Sequence, residues 1–287
     1  MILPLSSVIW GSTYIITKTI TQDVPIFLYL GIRHLIALIG FAPFLIRLKK
    51  VNKTAVFGAL ITGGAYFLAM MFQTFGLMTT TAGKAGFITG LYAVFVPFLS
   101  LLIFKTRIKK KLWISVGLAV FGMLFLSLEG EMGFVIGDLL VLFCAFFAAM
   151  MIVLTDKFVK EVDIYIFSIL EMILLVVLCF GLSILFDPPF DFGTIPEFFW
   201  IAMIYVGFIA TTVTFVIQNW GQRFLGATES GLIFSLEPVF ATLFGMLFGN
   251  EMLKIQFLVG AGFILTAIVI AVFNMNKKEE QKKIKKD

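Results

Sequence analysis

Histidine is almost missing from this chain: His34 is the only one, and Cys144 and Cys179 are the only cysteines. A zinc site needs several such ligands, and no Ser-His-Asp arrangement can be assembled around His34. Both cysteines fall inside long apolar stretches, so they predict neither a stabilising disulfide nor a metal centre. Charged residues are also scarce, at 14% of the chain. No stretch satisfies a phosphate-binding loop. Ala82-Gly83-Lys84-Ala85 comes nearest, but Met78 stands where the first glycine is required and Ala85 where a Ser or Thr is required. The residues therefore predict no ATPase, no enzyme and no cofactor.

What is abundant is apolar surface. Hydrophobic residues make up 60% of the 287, with 35 phenylalanines and a mean hydropathy of +1.06. An ordinary soluble domain does not have this composition. A helix crosses the hydrocarbon core in about 20 residues. The sequence divides on that scale into ten spans, at 2–20, 26–46, 55–77, 83–104, 112–128, 137–155, 164–186, 197–218, 229–249 and 254–274. The first span lacks the basic start and cleavage site of a signal peptide, so it is expected to be retained.

Lys and Arg set the expected orientation. With the N-terminus inside, the cytoplasmic segments hold 18 of the 22 basic residues, and the opposite loops hold Lys18, Lys84 and Lys254. The loops at 129–138 and 187–197 are acidic instead. Both termini are thus expected in the cytoplasm, in a cell membrane. The net charge of +5 follows from this asymmetry and from the Lys-rich tail, which lies near anionic lipid. Nucleic acid is not an expected partner; the lipid bilayer and a small-molecule solute are.

Residues Gly76–Gly122 and Gly221–Ala267 repeat one pattern at an offset of 145. Gln73 meets Gln218, Gly86 meets Gly231, Leu91 meets Leu236, and Gly117 meets Gly262. Five spans per copy is an odd number, so the second copy enters the membrane from the opposite side. The expected fold is all-α: a polytopic membrane protein with ten transmembrane helices in two inverted five-helix repeats. They occupy 1–130 and 131–275, followed by a basic tail at 276–287. Inverted repeats provide two related conformations around one site, the basis of alternating access. Small residues mark close helix approaches, among them Gly86, Gly117, Gly122, Gly260 and Gly262.

Trp10-Gly11-Ser12, Arg33, Leu236-Glu237-Pro238-Val239-Phe240 and the ending Gly249-Asn250-Glu251 together resemble the EamA-type drug/metabolite transporter superfamily. The resemblance covers essentially the whole chain. It implies a secondary exporter of small metabolites or drugs, with amino acids, related amines and aromatic compounds as first candidates. It also implies a central cavity walled by helices one, three, four, six, eight and nine. The first copy departs from the pattern: Tyr92-Ala93 stands opposite Glu237-Pro238, its proline is displaced to Pro97, and Lys105-Thr106-Arg107 lacks the Gly-x-Glu ending.

Glu237 falls near the bilayer midplane, where a carboxylate costs several kcal/mol unless protonated, paired or wetted. It is read either as a proton-coupling or amine-binding group or as a structural carboxyl. Glu171 is the second coupling candidate. Arg33 has the planar fork that suits a carboxylate, or it pairs with protein acids or snorkels. His34 is read as a packed residue. Gln73 and Gln218 are expected to face one cavity from equivalent places, and Trp10, Tyr14 and Tyr92 suit a pocket for an amphipathic solute. Each of the three suits core packing equally well. Ser235, Thr89 and Asn219 are weaker candidates.

Protons or a counter-substrate are compatible coupling partners. Three rivals remain open: an importer or lipid-carrier flippase of the same superfamily, a polytopic membrane enzyme, and a structural membrane subunit.

Overall fold

The computed structural model describes residues 2–105, 110–127, 135–195 and 197–249, with 255, 258–260, 262–267, 269 and 270. The predicted tail 276–287, the Asn250-Glu251 ending and the Thr106-Arg107 departure lie outside the described residues. Among the described residues every regular element is helical. The first half contains α1 (Leu3–Ile20), α2 (Ile26–Gly40), a 3-10 helix at Ala42–Lys50, α3 (Lys53–Leu77), α4 (Ala82–Gly90), α5 (Tyr92–Phe104) and α6 (Lys110–Ser127). Next come α7 (Ile136–Phe158), α8 (Ile164–Phe186), a 3-10 turn at Phe192–Thr194 and α9 (Glu197–Ile204). A π-helix at Tyr205–Val213, α10 (Thr214–Gln222), α11 (Ala227–Phe234) and α12 (Glu237–Gly249) follow, then the short α13 (Leu258–Ala267).

Six stretches are long and apolar enough to span a bilayer: Lys53–Leu77, Ala82–Phe104, Ile136–Phe158, Ile164–Phe186, Phe198–Gln222 and Ala227–Phe248. A seventh is counted if α2 and the following 3-10 helix, bent by 76°, form one span. The first, fifth and tenth expected spans correspond to α1, α6 and α13, which are not in that count. The outer surface agrees with lipid as solvent. Ile184 is 85% exposed and Leu102 77% exposed, which water would penalise. Conversely, Ser6, Ser7, Ser12, Thr13 and Thr17 of α1 are all buried. The polar stripe that lowers the apolarity of α1 faces protein. The chain is a multi-pass membrane protein.

Two spans are broken at equivalent positions. Leu91 N–H bonds the carbonyl of Ile88, and Leu236 N–H bonds that of Ile233. Each is a tightened turn ending one short helix and admitting the next. Pro238 then falls in the first turn of α12, where its missing donor is tolerated.

The two broken spans pack against each other in opposite directions. A Cβ on Gly86 would stand 2.8 Å from the Ala241 Cβ, and one on Gly231 would stand 3.3 Å from Val96. Between these contacts Tyr92 meets Glu237. Residue numbers rise along one span as they fall along the other. Gly86 and Gly231 are equivalents, and so are Val96 and Ala241; the contact set therefore maps onto itself when the halves are exchanged.

The remaining small-residue expectations divide. Gly122 packs against the backbone carbonyl of Gly260, whereas Gly117 and Gly262 have open space where a Cβ would go.

Each end of the bundle has its own polar ties. At one end Arg47 pairs with Asp163 at 2.8 Å, and Arg223 donates to the carbonyls of Val159 and Val162. At the other, Lys18 donates to the carbonyl of Thr80, and Lys84 pairs with Asp138.

Candidate functional site

A cavity of about 70 Å³ lies beside the two broken spans. Trp10, Thr13, Arg33, Tyr66, Met70, Gln73, Thr89, Tyr92, Cys144, Met151, Phe234 and Glu237 line it, with Ala69, Ala148 and Ile152. Ligand pockets usually measure about 300–1,000 Å³, so this volume holds a handful of waters. A solute requires the surrounding helices to move apart.

Glu237 opens α12, directly after the break, and is 6% exposed. Its Oε1 accepts a hydrogen bond from the Tyr14 hydroxyl at 2.7 Å, and its Oε2 accepts one from the Tyr92 hydroxyl at 3.2 Å. Gln73 Nε2 donates to the Tyr14 oxygen at 3.0 Å. Residues of α1, α3, α5 and α12 thus converge on one carboxylate. Tyr92 stands opposite Glu237 in the repeat register, so this bond joins matched residues of the two copies. The departure of the first copy from the Glu-Pro pattern is thereby accounted for. One copy carries the acid at this position, and the matched position in the other supplies a phenol that bonds it.

Arg33, 3% exposed, reaches the same cavity from α2. Its Nε donates to Thr211 Oγ1 at 3.0 Å. Among the described residues no carboxylate lies within ion-pair distance of it, and none of the three ion pairs involves Glu237. The cavity wall therefore holds a guanidinium and a carboxyl group, neither of them in an ion pair among the described residues.

The π-helix supports the cationic side. Trp10 Nε1 donates to the Ala210 carbonyl at 3.1 Å and to Thr214 Oγ1 at 3.0 Å, and the indole packs at 5.3 Å on Phe234. Thr211 in turn donates to the carbonyl of Val206, five residues back. A π turn leaves carbonyls that do not continue an α ladder, and threonine hydroxyls occupy them here.

Of the residues singled out from sequence, Trp10, Arg33, Gln73, Tyr92 and Glu237 line the cavity, and Tyr14 binds two of them from behind. Gln218 does not join them: it is buried in α10 and donates to Gln222, which donates to the Ile152 carbonyl. Glu171 also lies elsewhere. It is 1% exposed on α8, packed where Gly63 of α3 leaves room. His34 holds the Leu30 carbonyl through Nδ1 and meets Tyr66 edge to face. Thr89, a weaker candidate, lines the cavity; Asn219 instead donates to Ser168.

Sequence reasoning passed over Tyr66, Thr13, Cys144, Thr211 and Thr214. Tyr66 had a usable signal, since Tyr66, Met70 and Gln73 share one helical face. The threonines did not, because such hydroxyls routinely satisfy their own helix. Among the described residues no cluster of His, Cys, Asp and Glu could hold a metal ion.

Comparison with known proteins agrees with this architecture. An uncharacterized transporter of Archaeoglobus fulgidus is 33% identical over 93% of this chain and 83% of its own. A probable amino-acid metabolite efflux pump of Escherichia coli K12 is 26% identical over 96% of this chain and 95% of its own. A solved crystal structure shares the fold, with a TM-score of 0.77 at 17% identity over 97% of this chain and 98% of that one. The pattern of the EamA-like transporter family matches residues 1–128 and again 135–273, and the chain belongs to that family.

Proposed function

We propose that this protein exports a small organic solute bearing both an acidic and a basic group, an amino acid or a close relative, by alternating access. In this reading the halves 1–130 and 131–275 are inverted five-helix repeats, with α1, α6 and α13 completing ten spans and both termini in the cytoplasm. The observation that carries it is the Tyr92–Glu237 contact at 3.2 Å. It joins repeat-equivalent residues at the wall of a buried cavity, the place where an inverted-repeat carrier holds its solute. The unneutralised pair of Arg33 and Glu237 supports a zwitterion. Guanidinium suits the solute carboxylate, and the phenol-held carboxylate suits its ammonium. The relative named as an amino-acid metabolite efflux pump supports the same class.

Purified protein in liposomes, loaded with a panel of amino acids, amines and aromatic acids, tests the reading. Efflux of a zwitterion, competed poorly by the matching amine or acid alone, is expected. Flux confined to anions, to cations or to neither would overturn the zwitterion. Covalent turnover without flux would overturn transport altogether. Imposing a pH gradient separates proton coupling through Glu237 or Glu171 from exchange and facilitated diffusion.

A further inference from the structure

We propose that Lys84 and Asp138 form a latch that holds the bundle shut at the end where α4 begins, and that it must open before the cavity meets solvent on that side. The inference rests on reading the chain as an alternating-access carrier. Asp138 stands in the first turn of α7 with its side chain 1% exposed. Its carboxylate receives Lys84 Nζ at 2.6 Å, the Thr80 hydroxyl at 2.6 Å and the Val135 N–H at 3.0 Å. Lys18, near the end of α1, donates to the Thr80 carbonyl at 2.7 Å. The first half thus grips the second through one acid. Alongside it, Gly137 lies so close to the Gly76 carbonyl and the Thr79 hydroxyl that a Cβ would not fit.

A buried ion pair stripped of one partner is strongly unfavourable. Separating this one therefore requires water to enter the seam, so opening and hydration of that end occur together. The repeat makes the device one-sided. The equivalent of Lys84 is Glu229, of opposite sign, in the first turn of α11. Glu229 acts on Asp156 as a like charge, and among the described residues the ion-pair partner of Asp156 is Lys160, four residues along the chain. The ion pair that does join the halves at that end, Arg47–Asp163, lies at the surface, its side chains 44% and 35% exposed, where such a pair contributes little. The closed state at the Lys84 end is thus favoured by a buried ion pair, where the pair at the other end is exposed.

Cys144 in the cavity wall reports opening without any solute. In a Cys179→Ser background in liposomes, a small membrane-impermeant methanethiosulfonate is added from the Lys84 side or from the opposite side. Asp138→Asn and Lys84→Gln are expected to speed Cys144 modification from the Lys84 side by about tenfold or more, the factor that a population shift of ~1.4 kcal/mol produces. The charge exchange Lys84→Asp with Asp138→Lys should return the rate towards the parent. Thr80→Val, which keeps both charges, should give a smaller acceleration and serves if a single-charge variant does not fold. Unchanged rates from the Lys84 side overturn the latch, as does equal acceleration from both sides. Either result leaves the transport reading standing, because no solute enters the measurement.

Discussion

Among the described residues Glu237 receives two phenolic hydroxyls and no cation, so its partners can be removed one at a time. Tyr14→Phe takes the shorter bond from the carboxylate and also strips Gln73 of its acceptor. Leaving buried polar atoms unpaired costs about 1–3 kcal/mol. Tyr92→Phe removes only the longer bond and should cost less. Thermal unfolding in one detergent should rank parent, Tyr92→Phe and Tyr14→Phe in that order of falling midpoint; the reverse ranking would place the anchor on the wrong tyrosine. Arg33→Lys keeps the charge and loses the planar fork. It should weaken zwitterion binding by about tenfold, on the order of one strong hydrogen bond. Normal affinity in that variant would remove Arg33 from the proposed site. Outside the bilayer, Asp163 caps α8. Partial burial opposes its charge, but the Ile166 and Tyr165 N–H groups and the Arg47 guanidinium together outweigh this and hold its carboxyl below the ordinary value. A depressed carboxyl stabilises the fold above its unfolded pKa of about 4 and loses that contribution as pH falls through its folded value. Asp163→Asn, still a good cap, should flatten the part of the unfolding curve that lies below about pH 4. An unaltered acid limb would show that Asp163 contributes nothing to it.

At the level of elements, legibility followed the repeat until a π-helix interrupted it. Gln73 and Gln218 are matched by number, and α3 presents the first to the cavity. The second follows Tyr205–Val213, where hydrogen bonds reach five residues back. One added residue rotates everything downstream by roughly 100° on a 3.6-residue helix, which turns Gln218 away. Apolar periodicity is nearly blind to such a change, so the π-helix itself was not readable. The tightened turns at Leu91 and Leu236 were partly readable, from the Glu-Pro pair in one copy. That Tyr92 stands opposite Glu237 was readable from the 145-residue offset; that the two touch was not, because sequence register says nothing of how the copies pack. Glycine contacts likewise needed coordinates. A Cβ on Gly11 would stand 2.6 Å from the Phe240 Cβ and 2.8 Å from the Ala241 nitrogen. Backbone cannot yield as a side chain does, so Gly11→Ala should push α1 off α12 at a cost of about 1–3 kcal/mol. Gly117→Ala meets nothing within 4 Å and should gain helix propensity, by up to about 1 kcal/mol. Melting midpoints of the pair should move in opposite directions; parallel shifts would show that α1 and α12 are not in contact as described.

For the whole molecule, the consequential asymmetry is between its two ends. Arg47, Lys50, Lys160 and Arg223 gather at the end where Asp163 caps α8, while Asp23, Asp187 and Asp191 follow helices that finish at the other. Membrane insertion retains basic segments inside. Placing the basic end in the cytoplasm also makes the Lys84–Asp138 end external, so an exporter would open that latch to release its solute. Orientation and latch are thereby tied to one measurable fact. With Cys144 and Cys179 replaced, Lys50→Cys and Asp191→Cys each put one exposed thiol at opposite ends. In intact cells an impermeant maleimide should modify Asp191→Cys and spare Lys50→Cys until the membrane is broken. Modification of both before lysis would mean that the two sites share a face of the bilayer, and the inverted arrangement would fall with it. The opposite pattern would keep the repeats but turn the molecule over, making the latch a cytoplasmic gate and release on its side a step of uptake.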